Sequence, residues 1–240
     1  MRPIKRGSSP RTQDYEDYRD AYADLVSRLG PYCSYCERRM KTNLAVEHIQ
    51  PKGLPQYQAL EGRWDNFLLG CINCNSTKKD KDVVFAQLLL PDRDNTAAAY
   101  DYTKDGKVVP SQGLSPGLQK MAADTLALCG LDKEPSQLKD ENGRLVAIDR
   151  FNQRFEVWGI ALESKNDLRQ NPTDHMRRQV VKTAQAEGAF SIWMQVFDDD
   201  PRMRQLLIDS FPGTARDCFD PNTRPVSPRP QNGLPHGSKL

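Results

Sequence analysis

The chain has 240 residues, which is long enough to bury a core in one or two domains. No stretch approaches the roughly 18 apolar residues of a membrane-spanning helix, and the basic N-terminus lacks the apolar segment of a secretory signal, so we expect a cytoplasmic protein. The formal net charge is only +2. Any affinity for nucleic acid must therefore come from a local basic patch or from a bound metal.

The N-terminal part of the chain divides into an arm and a helix. Residues 1–13 hold three Arg, one Lys and a Gly-Ser-Ser run without apolar periodicity. This composition predicts a flexible basic arm, which is either a solvated tail or a segment that touches phosphate. Residues 14–29 repeat Tyr, Leu and Val at spacings of three and four, so they predict an amphipathic helix that ends at Gly30-Pro31.

Four of the six cysteines form two matched pairs, Cys33-x-x-Cys36 and Cys71-x-x-Cys74. Disulfides are not expected in a reducing compartment. Two Cys-x-x-Cys turns complete a tetrahedral Cys₄ site, which is the closed geometry of structural zinc. We therefore predict that these four residues bind structural Zn²⁺, with an elaborated module in the 34 residues between the pairs. The lone Cys129 and Cys218 are expected to be small buried residues.

The segment between and after the pairs alternates strand and helix signals. Residues 44–46 and 66–69 favour β-strand, and residues 75–90 can form a helix. Glu47 and His48 end the first apolar run, Asn66 begins the second, and Asn75 directly follows Cys74. The predicted order is Cys-x-x-Cys turn, strand, loop, strand, Cys-x-x-Cys turn and helix.

The segments AVEHIQPKG and WDNFLLGCINCNSTKKDK together resemble the HNH endonuclease family, in the subclass whose ββα-metal module carries two zinc knuckles. The resemblance covers about residues 31–82. The resemblance implies that Glu47 and Asn75 are metal ligands. It also implies that His48 is the general base and that Asn66 ties the hairpin together. The position of Asn75 is more often His in this family, although variants with Asn are known.

The resemblance also implies a second metal of a different kind. Glu47 and Asn75 both offer oxygen, which suits Mg²⁺ or Mn²⁺ better than zinc. The chain is therefore expected to hold a catalytic Mg²⁺ or Mn²⁺ beside the structural zinc. Lys52, Lys78 and Lys79 are expected to contact phosphates as point charges, and the alternative for the last two is a solvated helix face.

Neighbouring residues on a strand point to opposite faces, yet Glu47 and His48 must share one site. We therefore expect the first strand to end or twist there. The following Pro51-Lys52-Gly53 is compatible with an irregular exit.

The remaining sequence predicts a hairpin, a helical region and a tail. Asp105-Gly106 is a two-residue turn signal within residues 100–110. Residues 114–211 read as helices, one of them long and amphipathic through Ile148, Phe151, Phe155, Trp158 and Leu162. Residues 212–240 hold six prolines and predict a disordered tail.

The predicted fold class is α+β: a ββα-metal HNH module with a Cys₄ zinc site, followed by a mainly helical C-terminal region. The predicted domains are a flexible arm (1–13), a helix with the HNH module (14–92), a hairpin with the helical region (93–211) and a disordered tail (212–240).

A looser resemblance extends over about residues 31–131. This part of the chain is similar to the PtuB-like HNH proteins of retron and Septu-type phage-defence systems. The segments that carry the similarity are CSYC, VEHIQPKG, RWDNFLLGCINCNSTK, the GKVVP hairpin and GLSPGLQKMAADTLALCGL. Those proteins work with a separate, PtuA-like ATPase subunit in an antiviral complex, so the resemblance implies such a partner. The sequence has no Walker A motif of its own, which agrees with nucleotide sensing by another subunit.

Three functions compete at this point. The first is a metal-dependent endonuclease that hydrolyses phosphodiester bonds of DNA. The second is a catalytically inactive, zinc-stabilised adaptor that binds nucleic acid or protein. The third is a restriction-type or homing nuclease acting alone, which would need a DNA-reading domain that the sequence does not reveal. The apolar cluster at 192–197 is either internal packing or a surface that docks the ATPase.

Overall fold

A computed structural model describes residues 1–135, 141–143 and 149–240. The first helix, α1, spans Ala21–Leu29 after a short 3₁₀ turn at Tyr18–Asp20. The helix buries Ala21, Leu25 and Leu29. It ends before Gly30, whose φ of 73° is a left-handed backbone conformation that glycine adopts at little cost.

A two-stranded antiparallel sheet and one helix form the centre of the molecule. Strand β1 (Leu44–His48) pairs with β2 (Phe67–Cys71), so that Leu44 lies opposite Cys71 and His48 opposite Phe67. Helix α2 (Ile72–Lys78) follows β2 without a loop and packs against both strands. These elements are the predicted ββα arrangement.

Helix α2 is shorter than the sequence predicts. It ends at Lys79, which has a φ of 49°, and only a 3₁₀ turn at Phe85–Gln87 follows before residue 90. Residues 79–82 are four consecutive charged residues, so a continued helix would have no apolar position to bury there.

The rest of the described chain is mainly helical. Helix α3 (Thr96–Ala99) leads into the hairpin of β3 (Tyr100–Tyr102) and β4 (Val108–Pro110) around the predicted turn at Asp105-Gly106. The later helices are α4 (Pro116–Cys129), α5 (Arg150–Gln170), α6 (Asp174–Glu187), α7 (Phe190–Val196) and α8 (Pro201–Ser210). The predicted fold class is thereby confirmed. No helix in the described part of the chain is long and apolar enough to cross a membrane.

The buried face of α5 differs from the predicted apolar stripe. Phe155 and Leu162 are 57% and 44% exposed, whereas the face that packs toward α6 and α7 buries Val157, Ala161 and Leu168. Small side chains allow the close approach of these helices, and sequence periodicity does not report that requirement. Ile148, the first residue of the predicted stripe, lies outside the described residues.

The apolar cluster of α7 is internal. Ile192, Trp193, Val196 and Phe197 are all buried, and the Trp193 and Phe197 rings stack with centroids 6.4 Å apart. The cluster therefore belongs to the core of the helical region, and the docking interpretation of these four residues is wrong.

Residues 1–4 and Arg6 and parts of the C-terminal segment pack on the body, whereas residues 7–13 of the predicted arm are exposed. Arg2 donates to the carbonyls of Leu29 (2.9 Å) and Pro212 (2.6 Å). Arg229, which is 1% exposed, donates to the carbonyls of Pro91 (2.9 Å) and Ile4 (2.8 Å). The composition failed as a guide because a few buried apolar residues, such as Ile4 and Leu240, together with guanidinium groups that pair with backbone carbonyls, are enough to hold these segments.

Candidate metal centres and active site

The four paired cysteines converge on one point. Cys33 and Cys36 lie in the turn before β1, Cys71 ends β2, and Cys74 lies in the first turn of α2. Their sulfur atoms all lie within 4.8 Å of one another and are buried, and the sulfurs of Cys36 and Cys71 are 3.6 Å apart. A tetrahedral zinc with Zn–S bonds of about 2.3 Å needs sulfurs about 3.8 Å apart. This donor set therefore fits one zinc ion.

The first Cys-x-x-Cys turn is closed by its own backbone. The amide of Glu37 donates to the Cys33 carbonyl (2.9 Å), and the amide of Cys33 donates to the Arg38 carbonyl (3.0 Å). Glu37 adopts a φ of 62°, which tightens the turn and brings both sulfurs to one side. The amide of Cys71 donates to Cys33 Sγ (3.4 Å), so a hydrogen bond from a backbone amide to a sulfur joins the two turns.

His48 lies at the end of β1 between two aromatic rings. Its ring centroid is 4.7 Å from that of Tyr18 and 5.2 Å from that of Phe67, and the residue is 8% exposed. The Nε2 atom lies 2.9 Å from the carbonyl oxygen of Glu61. Because a carbonyl only accepts, Nε2 carries the proton of the neutral ring and Nδ1 keeps the lone pair. Burial lowers the pKa of His48, which keeps the ring neutral at pH 7.

Glu47 faces the opposite side of β1, toward α2. Its Oε1 lies 2.8 Å from the ammonium of Lys78, and the side chains of both residues are about 2% exposed. Lys78 Nζ also donates to the carbonyl of His48 at 2.8 Å. Burial raises the pKa of Glu47, and the nearby ammonium of Lys78 opposes that shift.

Asn66 joins the two ends of the loop between β1 and β2, next to the last residue pair of the hairpin. Its Oδ1 accepts from the amide of Gln50 (2.8 Å), and its Nδ2 donates to the carbonyl of the same residue (3.0 Å). This pair of bonds mimics one rung of a sheet just beyond β1. Asn66 therefore holds the chain that leaves His48 against the start of β2.

The remaining predicted site residues differ in exposure. Asn75 and Lys79 are exposed on α2 and at its end. Lys52 is also exposed; it pairs with Glu61 at 2.6 Å and lies 4.3 Å above the Tyr18 ring. Lys78 is buried in its ion pair with Glu47. The expectation that Lys78 contacts phosphate is therefore not supported by its position.

The structure brings some of these residues together and separates others. Lys78 joins Glu47 and the backbone of His48 to α2, the helix that also carries Asn75 one turn earlier. The side chains of Glu47 and His48 lie on opposite faces of β1. The strand ends at His48 as expected, and a common site of the two side chains stays a prediction.

Sequence reasoning missed the roles of Tyr18 and Lys78. Tyr18 belonged to a periodic apolar stripe, which carries no sign that its ring covers a histidine. The burial of Lys78 did have a signal, because residues four apart share one face of a helix and Lys78 follows the buried Cys74 by four.

A family model described as HNH endonuclease matches residues 33–81. The matched segment spans both cysteine pairs, both strands and α2. No curated protein matches the chain. Residues 33–81 therefore match an HNH endonuclease domain and contain the four-cysteine site, which supports nuclease activity.

Proposed function

We propose that this protein is a metal-dependent HNH endonuclease that hydrolyses phosphodiester bonds of DNA. The observation that carries the proposal is the fixed tautomer of His48 inside the matched domain. Its Nε2 is held by the Glu61 carbonyl, so Nδ1 is the atom that takes a proton from water. Tyr18 and Phe67 keep the ring neutral and oriented.

Glu47 and Asn75 are proposed to hold a catalytic Mg²⁺ or Mn²⁺. A carboxylate and an amide oxygen are hard donors that suit these ions, and the buried Glu47 Oε1 has capacity for a ligand beyond its ion pair with Lys78. When bound, the ion would stabilise the charge that develops on the phosphate. Lys78 keeps the Glu47 carboxylate turned toward the helix that carries Asn75.

Two exposed lysines are proposed to contact the DNA backbone. Lys52 follows β1 and packs on Tyr18, the ring that covers His48. Lys79 ends α2, one turn after Asn75. An ammonium at each position can meet a phosphate as a point charge.

The test is plasmid nicking with Mg²⁺ or Mn²⁺. His48→Ala should lower the cleavage rate at least about 100-fold because the general base is lost, while folding and zinc content stay unchanged. His175→Ala removes an exposed histidine on α6 and should cleave like the wild type. Full activity of His48→Ala contradicts the assignment. DNA binding without cleavage by the wild-type protein would instead support the adaptor function.

We further propose that the enzyme is the nuclease subunit of an antiviral complex with a PtuA-like ATPase. The support is the looser sequence resemblance and the lack of a Walker A motif in the sequence. Co-expression with an ATPase encoded beside its gene should give a complex that elutes as one species in size-exclusion chromatography. Separate elution of the two full-length proteins contradicts this part of the proposal.

A further inference from the structure

Two arginine side chains surround the sulfur atoms of the four-cysteine site. Arg38 Nε lies 3.5 Å from Cys36 Sγ, and its Nη2 lies 3.4 Å from Cys71 Sγ. Arg150 Nη1 lies 3.1 Å from Cys74 Sγ. Neither arginine belongs to a sequence motif that indicates a function.

The charges of this arrangement balance. One Zn²⁺ with four thiolates carries a net charge of −2. The guanidinium groups of Arg38 and Arg150 supply +2 against the sulfurs. A buried charge is costly unless it is paired and hydrogen-bonded, so these two arginines remove a large part of the penalty of burying the loaded site.

The two arginines also connect the site to the helical region. Arg150 is the first residue of α5 and lies 76 positions after Cys74. Its other contacts are to the carbonyls of Cys129 (2.7 Å) and Gly130 (2.6 Å) at the end of α4. Arg38 Nη1 reaches Gln153 Oε1 in the first turn of α5 at 2.6 Å. The end of α4 and the start of α5 therefore meet the metal site through guanidinium groups.

We propose that the four-cysteine metal centre holds the end of α4 and the first turn of α5 through Arg150 and Arg38. Metal binding and the docking of these two helix ends, called the junction below, then stabilise each other. The thiolates keep their full charge only near the metal, and that charge is what the guanidinium groups bind. Coupling of this kind is reciprocal: whatever weakens docking weakens metal binding by the same factor. The proposal depends on metal at the cysteines and not on nuclease activity.

The first test measures zinc affinity by competition with a chromogenic chelator, using the full chain. Arg150→Met should weaken zinc binding about 10- to 100-fold, as loss of outer-shell partners of metal ligands does, and Arg150→Lys should lose less because it keeps the charge. The matched control is Arg204→Met. Arg204 is a half-buried arginine on α8 that donates to the carbonyl of Thr223 (2.5 Å) and contacts none of these sulfurs in the described structure.

Zinc affinity of Arg150→Met within two-fold of the wild type, or an equal loss in Arg204→Met, overturns the proposal. If Arg150→Met does not fold, Arg38→Met carries the same test, since Arg38 is only partly buried and contacts two of the sulfurs.

The second test runs the coupling in the other direction on the wild-type chain. Removal of zinc by a chelator should increase hydrogen–deuterium exchange at residues 126–130 and in the first turn of α5, while α8 keeps its protection. Unchanged exchange at the junction overturns the proposal. Equal loss of protection in α8 also overturns it, because the metal would then support the whole fold rather than this junction.

Discussion

Lys78 Nζ lies 2.8 Å from Glu47 Oε1 and 2.8 Å from the carbonyl oxygen of His48. One buried ammonium therefore fixes a carboxylate of β1 and the end of the same strand against α2. Burial raises the pKa of Glu47 despite this counter-ion. The charge of a proposed metal ligand thus depends on a lysine that never meets the substrate from this position.

Replacement of Lys78 by Met is expected to destabilise the zinc-loaded protein, measured without Mg²⁺ or Mn²⁺, by about 3 kcal/mol, because it leaves a buried carboxylate without its counter-ion. The free energy of unfolding in urea measures this. The same variant is expected to bind Mn²⁺ with altered affinity in an electron paramagnetic resonance titration, since Glu47 loses the group that orients it.

Lys79→Met is the matched control, since Lys79 is the next residue and is exposed. It should change stability by no more than about 0.5 kcal/mol. The double variant Glu47→Gln, Lys78→Met should recover part of the loss because no buried charge remains unpaired. Equal stability of Lys78→Met and Lys79→Met would show that the ion pair contributes nothing.

The parts of the fold that follow from short-range spacing were predictable. Two Cys-x-x-Cys turns specify a four-sulfur site wherever the chain can close on itself, and Asp105-Gly106 specifies a hairpin turn from the backbone alone. The predicted ββα order also holds. In each case the sequence signal is a motif of a few residues, although the two cysteine pairs meet across 34 intervening residues.

The parts that depend on distant contacts were not predictable. Arg150 meets Cys74 from 76 residues away, and Arg229 meets Ile4 from 225 residues away. A lone arginine in a polar segment carries no mark of its partner. Residues 212–240 were predicted to be a disordered tail because they are rich in proline and poor in apolar residues. That prediction does not consider hydrogen bonds between guanidinium groups and backbone carbonyls, such as those of Arg229.

Cys71→Ala is expected to release the zinc and unfold the ββα module, because structural zinc binding supplies folding free energy to such sites. Elemental analysis of the purified wild type should give about one zinc per chain, and the variant should give almost none. Cys218→Ala, which alters a lone buried cysteine, should keep its zinc. A wild-type protein without zinc would contradict the Cys₄ assignment.

The pH dependence of cleavage should follow the lowered pKa of His48. Only the neutral ring accepts a proton, so the rate rises with pH as His48 deprotonates. Burial lowers the pKa of His48, so the midpoint of this rise should lie below the usual histidine value of about 6.5. The measurement is the single-turnover cleavage rate from pH 5 to 8 at saturating metal.

Tyr18→Ala provides the control for that profile. It uncovers the His48 ring and reduces its desolvation, so the midpoint of the acidic limb should move upward. Tyr22→Ala changes a partly exposed tyrosine on α1 and should leave the midpoint in place. An acidic limb that is the same in all three proteins would mean that a group other than His48 sets it.

Arg229→Met tests the order of the C-terminal segment. The guanidinium donates to the carbonyls of Pro91, Asp94 and Ile4 at 2.9, 3.4 and 2.8 Å, and methionine removes all three bonds. The carbonyls of Pro91 and Asp94 keep backbone donors, the amides of Ile4 and Thr96, so the Ile4 carbonyl is the acceptor that loses its donor. An unsatisfied buried group costs about 1–3 kcal/mol, so we expect a loss of about 2 kcal/mol in urea unfolding and faster tryptic cleavage after Lys5. Arg224→Met, at an exposed arginine of the same segment, should stay within about 0.5 kcal/mol of the wild type. If Arg229→Met is as stable as the wild type, the bonds of this guanidinium do not hold the C-terminal segment.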